Sequence, residues 1–292
     1  MERTILQTAR GPVDVVVEGT GPAILYFHGT LSGSDLALAR DRSLTEEGFQ
    51  LIIPHRPGFY GTPLRGNSTT AYTADLAGLV LDQLGVDRVA VVGTSAGGLP
   101  AMAFAIRHAA RTAALVLQCA QVHRWDGPEW APTAHQWIYR WGRFTVTRWL
   151  IWQIHIRILR FSNPQQCLCN LSGPRFAEVQ HDPIALQMAE AAYNELRRLR
   201  FHRLGYYNDL RAWTTEDVLA TGKVKCPTLI LHDPLDPIAP FKHAEYAANV
   251  IDHSELLSLH AAGHLIWAGR DAQQMQQRRS EFLRRHLPRR AG

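Results

Sequence analysis

Val89-Ala90-Val91-Val92-Gly93-Thr94-Ser95-Ala96-Gly97-Gly98 is the stretch on which the fold turns. Its first half is an unbroken apolar run rich in β-branched residues, the mark of a strand buried on both faces. Its second half spells Gly-x-Ser-x-Gly and continues into a helical pattern over Ala96–His108. A serine at a sharp strand-to-helix turn needs neighbours with almost no side chain, and Gly93 and Gly97 supply that space. The hydroxyl then projects from the sheet edge beside a helix N-terminus, where developing negative charge is favoured. The bland alternative, a glycine-rich turn with a capping serine, gives the two glycines no shared purpose. Ser95 therefore reads as a nucleophile.

Working outward, Val13–Glu18, Ala23–His28 and Gln50–Pro54 read as strands. Asp35–Glu47 and Thr70–Leu84 read as helices, with Gly48 as the stop signal of the first. The strand before the serine covers Arg88–Gly93, and Ala113–Cys119 is the next. Strands apolar throughout, alternating with helical stretches, predict a mostly parallel sheet covered by helices on both faces. After Gln121 the alternation stops. Six of the eight tryptophans fall between Trp125 and Trp152, and helical patterns follow one another to Thr221. From Lys225 it resumes with strand Thr228–His232, helix Lys242–Val250, strand Glu255–Leu259 and a closing helix over Asp271–His286. The expected architecture is α/β, with a core of residues 1–122 and 223–292. A helical cap, 123–222, is expected as an insertion after the sixth core strand.

Composition agrees with a folded chain: 292 residues, 46% hydrophobic and 20% charged, which excludes wholesale disorder. The net charge of +5 is spread thinly except at Arg278, Arg279, Arg284, Arg285, Arg289 and Arg290. With no aromatic ladder or DNA-binding motif beside it, that cluster reads as the solvated face of an amphipathic helix, and no nucleic-acid partner is expected. Four cysteines are too few for a disulfide scaffold. Cys167 and Cys169 lack zinc-ribbon spacing, so no metal is expected. The opening Met1-Glu2-Arg3-Thr4 lacks a signal peptide's apolar core, and no run of about 18 apolar residues exists. A cytoplasmic protein without a membrane span is the expectation; the sequence does not fix its oligomeric state.

A serine hydroxyl needs a base, and the base needs an orienting acid. At strand–turn–helix sites of this kind the order along the chain is Ser, then Asp or Glu, then His. His264, in Ala261-Ala262-Gly263-His264, follows the last strand and precedes the last helix, which sets it above the other thirteen histidines; His260 is the nearest competitor. The acid should follow Thr228–His232, where Asp233 and Asp236 stand. Asp233 sits at the strand end, where it can cap the turn; Asp236 lies further into the loop, within reach of His264, and is preferred. The oxyanion formed on attack needs pre-placed donors. The backbone N–H of Ala96 is one. The loop after His28-Gly29 supplies the other, Thr30, with Leu31 as the fallback. His28 is expected to brace this loop.

These residues, in this order, resemble the α/β-hydrolase superfamily over both core segments. The likeness rests on His28-Gly29-Thr30, Arg56-Pro57-Gly58-Phe59-Tyr60-Gly61, Gly93-Thr94-Ser95-Ala96-Gly97-Gly98, Asp236-Pro237-Ile238-Ala239-Pro240 and Gly263-His264. The Arg-Pro-Gly stretch looks like the family's loop after the third core strand, with a structural role. Serine at position 95 departs from the haloalkane dehalogenases and epoxide hydrolases, which use aspartate there. Ala96 departs from the tryptophan that proline iminopeptidases usually carry. The resemblance implies a cofactor-independent serine hydrolase.

The aromatic insertion suggests an apolar pocket, lined by Leu31, Trp137, Trp141, Trp152 and Leu265, for a small hydrophobic substrate. An ester, lactone or thioester fits first. The alternatives are C–C bond hydrolysis of a dienoate or β-diketone, which needs a cation for the substrate carboxylate, and a small-molecule receptor with slow or no turnover.

Overall fold

The computed structural model describes residues 2–64, 69–124, 144–215 and 222–287. Among them, eight strands form one sheet: β1 (Glu2–Thr8), β2 (Gly11–Glu18), β3 (Ala23–Phe27), β4 (Gln50–Pro54), β5 (Val89–Thr94), β6 (Thr112–Gln118), β7 (Thr228–His232) and β8 (Ser254–Ser258). Their order is β1-β2-β4-β3-β5-β6-β7-β8. β2 runs antiparallel to β1 and β4, and every other pair is parallel. The mostly parallel sheet predicted from the sequence is present.

Helices α1 (Ser34–Asp41), α2 (Ser43–Glu46), α3 (Thr70–Gln83) and α4 (Gly98–Arg107) alternate with the first strands. Between β6 and β7 the described elements are helical: α5 (Thr145–Phe161), α6 (Pro164–Ser172), α7 (Phe176–Val179), α8 (Pro183–Leu196) and α9 (Arg203–Thr215). α10 (Lys242–Val250) and α11 (Ala272–His286) follow. Among the described residues no helix is long and apolar enough to cross a membrane.

The continuous apolar runs follow from the pleat, because successive side chains leave a strand on opposite faces. In β5, Val89 and Val91 join one buried cluster while Ala90 and Val92 join the other. In β3, Leu25 and Phe27 part in the same way from Ile24 and Tyr26. The first cluster is closed by Leu81 of α3 and Met102 and Phe104 of α4. The second is closed by Leu38 of α1 and Met275 and Leu283 of α11. Each such side chain contributes about 1.5–3 kcal/mol by leaving water.

Four features depart from the sequence reading. β1 was not foreseen: as an edge strand none of its described residues is fully buried, so it carries no apolar run. Its presence moves the Arg-Pro-Gly loop from after the third strand to after the fourth. The helix expected over Asp35–Glu47 is two helices. They meet beside Asp41, a wholly buried carboxylate that accepts from Tyr26 Oη (2.8 Å), Trp267 Nε1 (2.7 Å), Gln118 Nε2 (2.9 Å) and Arg279. Arg279 is the fourth departure. Arg284 and Arg285 are exposed as expected, but Arg279 turns inward from the same helix and is fully buried on Asp41 and Gln118 Oε1. A guanidinium in the interior needs such a partner, since an unpaired buried charge is strongly destabilising. Arg289 and Arg290 lie outside the described residues.

Candidate active site

β5 ends at Thr94, whose hydroxyl lies 2.7 Å from Tyr26 Oη and accepts from Gln118 Nε2 at 3.0 Å. The buried Asp41 cluster thus anchors the residue before Ser95. Ser95 itself has φ of 54°, in the left-handed region where few non-glycine residues settle, and it opens the turn into α4. The close approach needs the two glycines. A Cβ on Gly93 would stand 2.6 Å from Ala101 Cβ and 2.8 Å from the Gly97 oxygen. One on Gly97 would collide with the carbonyl of Phe27. Gln121 N donates to the Ser95 carbonyl at 2.9 Å, so the turn is pinned from the β6 side as well.

His264 follows β8 in a loop held from three directions. Its amide donates to the Leu171 carbonyl of α6 (2.9 Å). Asp233 Oδ2 accepts from the amides of Ala261 (3.0 Å) and Gly263 (3.2 Å). Arg175, between α6 and α7, donates to both oxygens of Asp233 at 3.2 and 3.3 Å. Asp233 Oδ1 also accepts from Leu235 N at 2.9 Å, the turn cap foreseen for it; the bonds to the His264 loop were not foreseen.

The ring of His264 bridges the other two residues. Nε2 lies 3.1 Å from Ser95 Oγ, and Nδ1 lies 2.7 Å from Asp236 Oδ2. Asp236 Oδ1 accepts from Ile238 N (2.8 Å) and Ala239 N (2.9 Å), which fixes the plane of the carboxylate. His232 Nε2 stands 3.5 Å from Asp236 and 2.7 Å from the Ala239 carbonyl. Burial pushes the Asp236 carboxyl up, but the His264 and His232 imidazoles more than offset this and hold it well below the usual carboxylate range. An ionised acceptor on Nδ1 keeps the ring proton there and leaves Nε2 free to take a proton from Ser95.

The two segments expected to supply the donors border the serine. Ala96 is next in the chain, and Gly29 lies so near that a Cβ on it would be 3.1 Å from Ser95 Cβ. Thr30 follows, then Leu31 in a left-handed turn at φ 46°. His28 is buried, its Nδ1 2.8 Å from the Gly29 carbonyl and its Nε2 accepting from Arg56 N at 3.1 Å, the bracing expected of it. His260 pairs with Glu178 instead of approaching the serine.

Of the expected pocket residues, Leu31 and Trp152 share one apolar cluster with Ala96. Leu265 does not join them; it is fully buried against Leu168, Val179 and Ala185, beneath the intervening helices. Trp137 and Trp141 lie outside the described residues.

Four contacts near the site were not singled out from sequence. Cys119 Sγ lies within 4.8 Å of ligand atoms of Asp236 and His264, and burial pushes its thiol far up. The His232 contact had one signal, a histidine ending the strand before the acid. The pairs Arg56–Asp209 and Arg175–Asp233 join residues far apart in sequence, and no local pattern marks them.

The chain matches the family model for the alpha/beta hydrolase fold over residues 22–268. It is 28% identical over 269 residues to YcgS, an uncharacterized hydrolase of Bacillus subtilis (strain 168), spanning 90% of this chain and 91% of that protein. It is also 28% identical over 243 residues to a pimeloyl-[acyl-carrier protein] methyl ester esterase of Aromatoleum aromaticum (strain DSM 19018 / LMG 30748 / EbN1), spanning 83% and 91%. Among solved structures, an alpha/beta hydrolase fold protein from Nakamurella multipartita superposes with a TM-score of 0.74 at 27% identity, over 97% of this chain and 99% of that one. A strand order, a strained serine turn and a matching family pattern agree, and the chain belongs to the alpha/beta hydrolase fold family.

Proposed function

We propose that this protein is a serine hydrolase that cleaves a small to medium, largely apolar ester, lactone or thioester through an acyl-enzyme. The observation that carries the reading is the run of contacts Ser95 Oγ to His264 Nε2 (3.1 Å) and His264 Nδ1 to Asp236 Oδ2 (2.7 Å), joining residues 169 and 28 positions apart. Ser95 Oγ bonds to the substrate carbonyl carbon while its proton passes to His264 Nε2. The carbonyl π pair moves to oxygen, held by the amides of Ala96 and Thr30; one such donor is worth about 3–4 kcal/mol. Collapse expels the alkoxide or thiolate, which takes the proton from His264. Water then gives a proton to Nε2, attacks the acyl carbon, and releases the acid as Ser95 regains its hydrogen.

The helices between β6 and β7 act as a cap, 123–222, over a core of 1–122 and 223–292, and Leu31 and Trp152 contribute apolar wall. The methyl ester esterase relative supports an ester over other acyl groups. C–C cleavage calls for a free cation at the substrate carboxylate. Arg56, the cation that lines a small cavity with Ala96 among the described residues, already makes four side-chain hydrogen bonds, which weighs against that reading.

The test is a panel of p-nitrophenyl esters of graded acyl length, with fluorophosphonate labelling, on the unaltered protein and on Ser95→Ala and His264→Ala. Hydrolysis with a chain-length optimum, label on Ser95, and a loss of about three or more orders of magnitude in kcat in either variant are expected. Tight retention of a small molecule with no label on Ser95 would favour the receptor.

A further inference from the structure

The peptide that supplies the Thr30 amide is gripped by its other end. The Gly29 carbonyl oxygen lies 2.8 Å from His28 Nδ1 and accepts from Arg56 Nη2 at 2.9 Å. His28 Nε2 is itself an acceptor, from Arg56 N, so the ring proton sits on Nδ1 and points at Gly29. Arg56 Nε donates to the His28 carbonyl at 2.9 Å, fixing the preceding peptide as well. In a trans peptide the C=O and N–H point in opposite directions, and no cis bond occurs among the described residues. Holding the Gly29 oxygen toward Arg56 therefore turns the Thr30 N–H to the opposite side of the peptide.

Arg56 is in turn held from the intervening helices. Asp209, on α9, accepts from Nη1 at 2.5 Å and from Nη2 at 2.9 Å, a two-pronged pair with both side chains buried. One guanidinium thus links two carbonyls of the Gly29 loop to a carboxylate 153 positions away.

We infer that Arg56, clamped by Asp209, is a positioning residue that sets the direction of the Thr30 oxyanion donor, so that the seating of α9 governs the rate of acyl transfer. This rests on the serine-hydrolase reading. Weakening the clamp frees the peptide to rotate, and the loss falls on the state that carries the oxyanion.

The experiment uses Asp209→Asn and Arg56→Lys in the full chain, with kcat and KM for a p-nitrophenyl ester. Beside them it reads inhibition by a trifluoromethyl ketone and by the matching methyl ketone. The trifluoromethyl ketone adds Ser95 Oγ to its carbonyl carbon; the serine proton goes to His264 Nε2 and the π pair to oxygen, leaving an oxyanion on the donors. The methyl ketone binds unreacted. A tenfold or greater fall in kcat is expected, below the roughly 100–1,000-fold of losing a donor outright. KM should stay within about threefold, and trifluoromethyl ketone affinity should fall in step with kcat/KM while methyl ketone affinity holds. Unchanged kcat in a folded variant, or equal weakening of both ketones, overturns the inference. Arg56→Lys keeps the charge opposite Asp209 but loses the fork, and decides the matter on the same ratio if Asp209→Asn does not fold. Failure of the unaltered protein to form the adduct sinks the hydrolase reading itself; an adduct with an unmoved ratio sinks only the clamp.

Discussion

Asp233→Asn and Asp236→Asn alter two carboxylates three positions apart on one loop, and their surroundings assign them opposite costs. At Asp236, the two backbone donors Ile238 N and Ala239 N require an acceptor at Oδ1, so an asparagine must place its oxygen there and its NH2 against His264 Nδ1. The ring then has to present a lone pair at Nδ1, carry its proton on Nε2, and face Ser95 with the wrong group. A loss of about 10,000-fold in kcat follows, or roughly 5.5 kcal/mol of barrier. At Asp233 neither orientation of an amide satisfies every donor. The oxygen can serve Ala261 and Gly263 or it can serve Leu235, and in both cases Arg175 loses its buried charged partner and keeps only the half-exposed Glu178 at 3.4 Å. Removing one member of a buried pair costs about 3–5 kcal/mol of stability. At a few degrees per kcal/mol this is a fall of roughly 10 °C in Tm. Because His264 still has Asp236, kcat at 25 °C should drop by less than about tenfold. Thermal denaturation and initial rates on the two variants separate the effects. A larger kcat loss at 233 than at 236 would refute the assignment of the acid and the argument from donor geometry with it.

Gly97→Ala should prevent the turn at Ser95 from forming, because its Cβ meets the Phe27 carbonyl and the His28 oxygen at 2.8 Å; soluble yield and fluorophosphonate labelling should both collapse. Arg279→Met leaves Asp41 as an uncompensated buried charge and should cost about 3–5 kcal/mol in urea unfolding, part of it regained in Arg279→Met/Asp41→Leu. His202 is buried, and burial chiefly pushes its pKa down to about 4. The unfolded chain takes up that proton near pH 6.5 and the folded chain does not, so stability is full above that pH and declines as pH falls, levelling for this group below about 4. His202→Gln should therefore remove about 3 kcal/mol of the difference in unfolding free energy between roughly pH 7.5 and pH 4; an unchanged difference would show that the ring is not neutral in the fold.

What was legible in the sequence was whatever local pattern enforces. The buried strands announce themselves because both faces of β3, β5 and β6 enter the core. The serine turn shows because two glycines are a steric necessity two positions either side of it. His264 and Asp236 were placed because each follows a strand in a parallel sheet, where loops gather at one edge. β1 escaped because an edge strand with no buried residue has no apolar signature. Arg279 was misread for a related reason. One residue of an arginine-rich helix turns inward only because Asp41, 238 positions earlier, stands opposite it, and nothing in residues 272–286 records that.

The same distinction separates the site's parts from the bonds that aim them. Ser95, His264 and Asp236 all stand on core loops, yet several of those loops are fastened by the helices between β6 and β7. Asp209 of α9 holds the arginine that grips the Gly29 peptide. Arg175 holds the aspartate that carries the His264 loop, and the Leu171 carbonyl of α6 takes the His264 amide itself. Tyr60 and Gly58, in the Arg-Pro-Gly loop, share backbone bonds of 2.9 Å with Phe201 and Gly205. On the proposed reading, elements fastened this way do more than cover a substrate. A change in how they seat reaches the loops around Ser95 and His264 through these five connections, so under the serine-hydrolase reading variation in this segment is expected to alter kcat along with substrate preference.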